Sequence, residues 1–142
     1  MALDINRMTM DRALDLAQKY YSKTTLEHAY RVLGYVTLNR TIPLEYYIDC
    51  KCLALMHDLV ENAGYTPVGL PPNFTKALEL LTEPQDISYD EYCKRIHDAQ
   101  DTAYGRCAYW VKLADIKDHL SLTNVLTPRL KEKYLSGLRY LL

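Results

Sequence analysis

The sequence predicts an all-α chain, a bundle of about six or seven helices forming one domain over residues 1–142. Three observations carry that expectation. No stretch shows the sustained two-residue alternation of a strand. Apolar residues recur instead at three- and four-residue spacing, the stripe of a helix with one buried face. Ser, Thr, Pro and Gly separate these stretches at the places where helices start and stop. With 49% hydrophobic and 25% charged residues, the chain can bury roughly two thirds of its unfolded surface in a single core without a disulfide.

The elements follow in order. Thr9 is placed to cap a first helix through Ala13, Leu14, Leu16, Ala17 and Tyr20 that stops near Ser22. Thr24-Thr25-Leu26-Glu27 fits a capping box that opens a second helix, with His28 in its first turn. Pro43 suits the first position of a third helix, where its missing N–H is not needed, and Gly64 suits the left-handed residue that ends it. The next segment, Tyr65 to Pro72, holds three of the six prolines and is expected to be a loop walling a cleft. Asn73 or Thr75 starts a short helix ended by Pro84. Ser88-Tyr89-Asp90-Glu91 is a second capping box that opens a helix through Tyr92, Ile96 and as far as Ala99, and a separate helix runs from Ala103 to about Leu120. Thr127-Pro128 opens a last helix with Leu130, Tyr134, Leu135, Leu138 and Leu141 on one face.

Composition narrows the function classes. A formal net charge of -1 provides no basic field for nucleic acid, so an anionic ligand needs a local cluster of cations. The four cysteines, Cys50, Cys52, Cys93 and Cys107, lack zinc or redox spacing and read as free, buried thiols of a reducing cytoplasm. Met1 to Arg7 contains an acid and no long apolar core, so no secretory signal is expected. No apolar run is long enough to span a bilayer. Thirteen tyrosines against one phenylalanine suit helix seams and cleft rims, and Tyr-rich faces could also pair two copies as a homodimer.

Chemistry concentrates in Cys52 to Gly64, an apolar helix that ends in His57, Asp58 and Glu61. Neighbouring residues on a helix point about 100° apart, so His57 and Asp58 can both lean toward one ion. Glu61, one turn after His57, can overhang that ion without binding it. Taken alone, the pair equally fits a buried histidine bonded to a carbonyl or to its neighbouring aspartate. The wider pattern favours a ligand set, because His28 and Asp115, with His119 one turn beyond it, also fall at helix positions that could converge on the pair. Two imidazoles and two carboxylates suit a divalent ion such as Mn, Fe, Co, Ni or Zn, with positions left open for water and substrate. Such an ion lowers the pKa of water and makes it nucleophilic at neutral pH.

His28, then His57-Asp58, then Asp115 within Val111-Lys112-Leu113-Ala114-Asp115 resembles the H…HD…D signature of the HD-domain metal-dependent phosphohydrolases. The wording is most similar to the hydrolase domain of the RelA/SpoT family, which removes pyrophosphate from guanosine tetra- and pentaphosphate. Further similar strings are Ala54 to Glu61, Leu81-Thr82, Tyr89 to Tyr92 and Arg95-Ile96, so the resemblance covers roughly residues 10 to 140. It implies the helical HD bundle, with His28, His57, Asp58 and Asp115 as metal ligands, Mn as the usual ion and Glu61 as the acid/base residue. It also implies a phosphorylated nucleotide as substrate.

Departures fall beside the matches. Where the alarmone hydrolases carry Glu-Asp, this chain has Glu61-Asn62, and an amide cannot serve as a proton-transfer base. Four residues after Asp115 the family carries a nucleotide-holding Asn; here His119 takes that place. The basic segment before the first histidine is short, and Ala29 stands where a proline often follows it. Lys112, His119, Lys23 and Arg31 are the candidate substrate contacts, with Lys19 near Lys23 and Arg31 in sequence, while His97 is expected at the surface. The leading expectation is a metal-dependent phosphohydrolase. A non-catalytic HD domain that senses metal and nucleotide is the alternative that Asn62 motivates.

Overall fold

The computed structural model describes residues 7–142, so the N-terminal expectation for residues 1–6 lies outside the described part. The described residues contain no strand. They form α1 (Met10–Tyr20), α2 (Lys23–Leu38), α3 (Leu44–Met56), α4 (Leu59–Ala63), α5 (Pro72–Leu80), α6 (Tyr89–Asp98), α7 (Ala103–Ser121) and α8 (Pro128–Leu141), with a 3-10 turn at Ala99–Asp101. These are the helices expected from the sequence, the third of them in two pieces.

The core sits between α3 and α7, with α1 and α2 packed on α3, α2 and α5 on α7, and α6 lying along α8. Every residue from Cys52 to Leu59 is buried, so this segment has no solvent face and shows little amphipathic pattern. All four cysteines are free and buried. No described helix is long and apolar enough to cross a membrane.

Most starts follow their capping chemistry. Thr9, Ser88 and Thr127 accept hydrogen bonds from the N–H groups of Arg12, Glu91 and Leu130, three residues on. Thr102 does the same for Gly105. The second helix starts earlier than expected: Ser22, not Thr24, is its cap, accepting from the Thr25 N–H at 3.2 Å. His28 therefore lies in the second turn. Pro43 and Pro71 precede the helices they introduce. Gly64 ends α4 with φ 66°, the left-handed conformation that glycine takes without steric cost. Gly105 has a different role, since a Cβ there would lie 1.8 Å from the Ala99 carbonyl oxygen.

The expected continuous helix from Pro43 to Gly64 breaks at His57–Asp58, and Tyr21 explains why. Its hydroxyl accepts the Asp58 N–H at 3.1 Å and donates to the Leu55 carbonyl at 2.7 Å. The His57 Nδ1–H donates to the Ala54 carbonyl at 2.7 Å, occupying the acceptor that Asp58 would use in an unbroken helix. Asp58 consequently has φ -97° and ψ 3°, the bridge region between helix and extended backbone.

Candidate metal centre

α2, the α3–α4 junction and α7 bring His28, His57, Asp58 and Asp115 into one buried cluster. Their exposures are 9%, 4%, 9% and 5%, so little water reaches their polar atoms. His28 Nε2 lies 2.8 Å from Asp115 Oδ1 and 3.6 Å from Asp58 Oδ2. His57 Nε2 lies 3.2 Å from Asp58 Oδ2 and 3.4 Å from Asp115 Oδ1. An ion held by bonds of about 2.1 Å keeps adjacent donors about 3.0–3.4 Å apart, so these separations fit a shared ion after small adjustments.

Two observations favour a cation over a closed hydrogen-bond network. Because the His57 Nδ1–H is spent on Ala54, its Nε2 faces the carboxylates as a lone pair unless it is also protonated, and this buried atom has no hydrogen-bond partner. Asp58 is the other unresolved group. Asp115 has Lys112 Nζ at 2.8 Å from Oδ2, whereas the cationic groups around Asp58 are imidazoles alone among the described residues. The residues thus fit a divalent ion, and His28, His57, Asp58 and Asp115 could hold one.

Without an ion, the imidazoles and carboxylates balance one another's charge. Burial works against charge on His28 and His57, but Asp58, Asp115 and Asp118 outweigh it and hold both imidazoles above their ordinary pKa. Burial also opposes the Asp58 and Asp115 charges. His57 for the first, and Lys112 with the histidines for the second, draw both carboxyls below the usual range.

Asp118 was not anticipated from the sequence. Fully buried, it accepts from the His28 Nδ1–H at 2.6 Å and from the Arg31 Nε–H at 2.8 Å. Those bonds set the His28 tautomer that turns Nε2 toward Asp115 and Asp58. Its spacing from Asp115 places it on a neighbouring face of α7, the one hint the sequence offered.

A cleft of about 370 Å³ opens over the cluster. Glu61, Asn62, Arg31, Lys112 and His119 line it, as do Thr24, Thr25, Glu83, Tyr89, Tyr92, Lys133 and Tyr134. Glu61 Oε2 accepts the Glu83 N–H at 3.2 Å. Burial raises its carboxyl above the ordinary value despite that bond and Lys112.

Several expectations are corrected here. Lys23 is exposed as the first residue of α2 and does not line the cleft, which Thr24 and Thr25 beside it do. Lys19 sits over the Tyr20 ring. The 65–72 loop is not a cleft wall; Leu81, Glu83 and the α6 and α8 tyrosines take that place. Lys112 lines the cleft but is buried, with Nζ 4.8 Å from the Tyr92 ring centre and hydrogen-bonded to Asp115. His97 is half-buried and donates from Nδ1 to the Leu141 carbonyl, fastening the end of α8. His119, one turn beyond Asp115, stands beside the His-Asp cluster as its spacing suggested, its Nε2 3.3 Å from Asp115 Oδ1. No protein-family model matches this chain, and no curated protein matches it at a significant level.

Proposed function

We propose that the protein is a metal-dependent phosphohydrolase of the HD type, acting on a phosphoester or phosphoanhydride of a nucleotide with Mn as its first candidate ion. The observation that carries this is the buried, unpartnered Nε2 of His57 facing Asp58 and Asp115 beneath an open cleft. A divalent ion bound there would supply Lewis acidity and an activated water.

The chain's own residues have definite tasks in this scheme. Glu61, on the cleft wall with its pKa raised by burial, accepts the proton of the attacking water and returns it to the leaving oxygen. The Glu83 N–H fixes the carboxylate that does so. Arg31 commits only Nε to Asp118, which leaves its terminal N–H groups for a substrate phosphate. Lys133, exposed on the cleft wall and without an ion-pair partner among the described residues, offers a second positive charge. Lys112 holds Asp115 in place instead of meeting substrate first.

Pyrophosphate release from guanosine tetraphosphate in excess Mn2+, with His57→Ala as the blank, tests the proposal. Release by the wild type alone supports it and the alarmone-like substrate together. Turnover of other nucleotides but not this one would keep the hydrolase and discard the substrate. Asn62, lining the cleft where a second carboxylate stands in the resembling family, favours the sensor reading. Nucleotide binding without product under any divalent ion would select it.

A further inference from the structure

Asp115 Oδ1 is surrounded by three imidazole nitrogens, not the two that the HD signature provides. His28 Nε2 stands 2.8 Å away, His119 Nε2 3.3 Å and His57 Nε2 3.4 Å. His119 lies one helical turn after Asp115 on α7, the spacing that puts two side chains on one face. One donor atom each from His28, Asp115 and His119 lie within 4.8 Å of one another, as do donors from His28, His57 and Asp58. Both groups share His28. An ion facing His28 Nε2 and Asp115 Oδ1 therefore has the His119 nitrogen as a neighbour of the same two atoms.

The His119 ring is also held in that position. It stacks on Tyr134 with centroids 4.6 Å apart and planes 4° from parallel, and its centroid is 4.9 Å from that of His28. Packing on two sides limits the rotamers lost on coordination.

Resting on the metal-centre reading above, we infer that His119 is a further ligand of the ion, giving three imidazoles and shifting the site's preference from Mn2+ toward Zn2+ or Co2+. Imidazole is a borderline donor that Zn2+ and Co2+ bind more strongly than Mn2+, which is better served by oxygen. The same substitution that removes the resembling family's nucleotide-holding Asn thus adds a nitrogen to the metal's surroundings.

The test uses the full chain, stripped of metal and reloaded with one equivalent of Zn2+. X-ray absorption at the Zn edge counts coordinated imidazoles in the folded wild type, and competition titrations give Zn2+ and Mn2+ affinities for wild type and His119→Asn. Three imidazoles are expected. Zn2+ affinity should fall at least about tenfold in the variant, with a smaller loss for Mn2+. Two imidazoles in the wild type, with unchanged affinities in the variant, would overturn the inference while leaving the metal centre intact. A wild type that binds neither ion would overturn both. If His119→Asn does not fold, the imidazole count in the wild type decides alone.

Discussion

Asp58→Asn separates a metal centre from a polar network that merely happens to be buried. Asp58 is 9% exposed, and its only cationic neighbours among the described residues are imidazoles. In metal-free protein the exchange removes a buried charge and weakens its pairing with His57. These effects oppose one another, so stability should change by only about 1 kcal/mol. With Mn2+ the outcome differs. The donors come from α2, the α3–α4 junction and α7, so the unfolded chain has no equivalent site. An ion at 100 times its Kd then stabilises the wild type by about 2.7 kcal/mol, which for a chain of this size raises Tm by about 10 °C. Melting followed by helical circular dichroism measures the gain, and in Asp58→Asn it should shrink to under about 3 °C. Mn2+ is preferable to Zn2+ here because unfolding exposes four cysteines that bind Zn2+ in the unfolded state. An equal Mn2+ gain in wild type and variant, or none in either, would refute the reasoning.

Three further outcomes are expected. Since His28 and His57 are held above their ordinary 6.5, their contribution to metal-free stability is complete below that value and lost as pH rises through the folded pKa values. An ion must displace those protons, so the Mn2+ gain in Tm should grow from about pH 6 to about pH 8; a gain that shrinks over this interval contradicts the ligand assignment. Asp118→Ala removes the partner of His28 Nδ1 and should weaken Mn2+ binding by about 10- to 100-fold in calorimetric titrations, whereas an unaltered Kd would deny Asp118 its positioning role. Gly105→Ala places a methyl group 1.8 Å from the Ala99 carbonyl oxygen and 2.7 Å from Thr102 Oγ1, so the α7 start must shift. That should cost about 2 kcal/mol in urea unfolding even after the better helix propensity of Ala, and an unchanged midpoint would show that the turn yields freely.

What the sequence made legible depended on reach. Helix positions rest on local signals, and the caps at Thr9, Ser88 and Thr127 act through bonds three residues long. The ligand candidates were legible because few residue types can bind a cation and their spacing fits helix faces. The choice of Ser22 over Thr24 is a competition between two adequate caps that local pattern cannot rank. Asp118 and Lys112 were harder for another reason. Charged residues on a long helix ordinarily face water, and only the approach of α2 to α7 reveals that Asp118 serves His28 and Arg31. The break at His57–Asp58 was beyond reach, because its cause is a hydroxyl 37 residues upstream of Asp58.

That hydroxyl enlarges the unit that a motif search ought to seek. On an unbroken helix His57 and Asp58 would stand about 100° apart like neighbouring spokes, and a graft of Cys52 to Gly64 onto another scaffold, restoring the missing rungs, would give the pair that wider aim. Tyr21, wedged between the ends of α1 and α2, works like the pin of a folding rule: it holds the joint open at one angle. The transferable device is accordingly a triplet, in which a distant phenol sets the bend and the His-Asp pair inherits its aim.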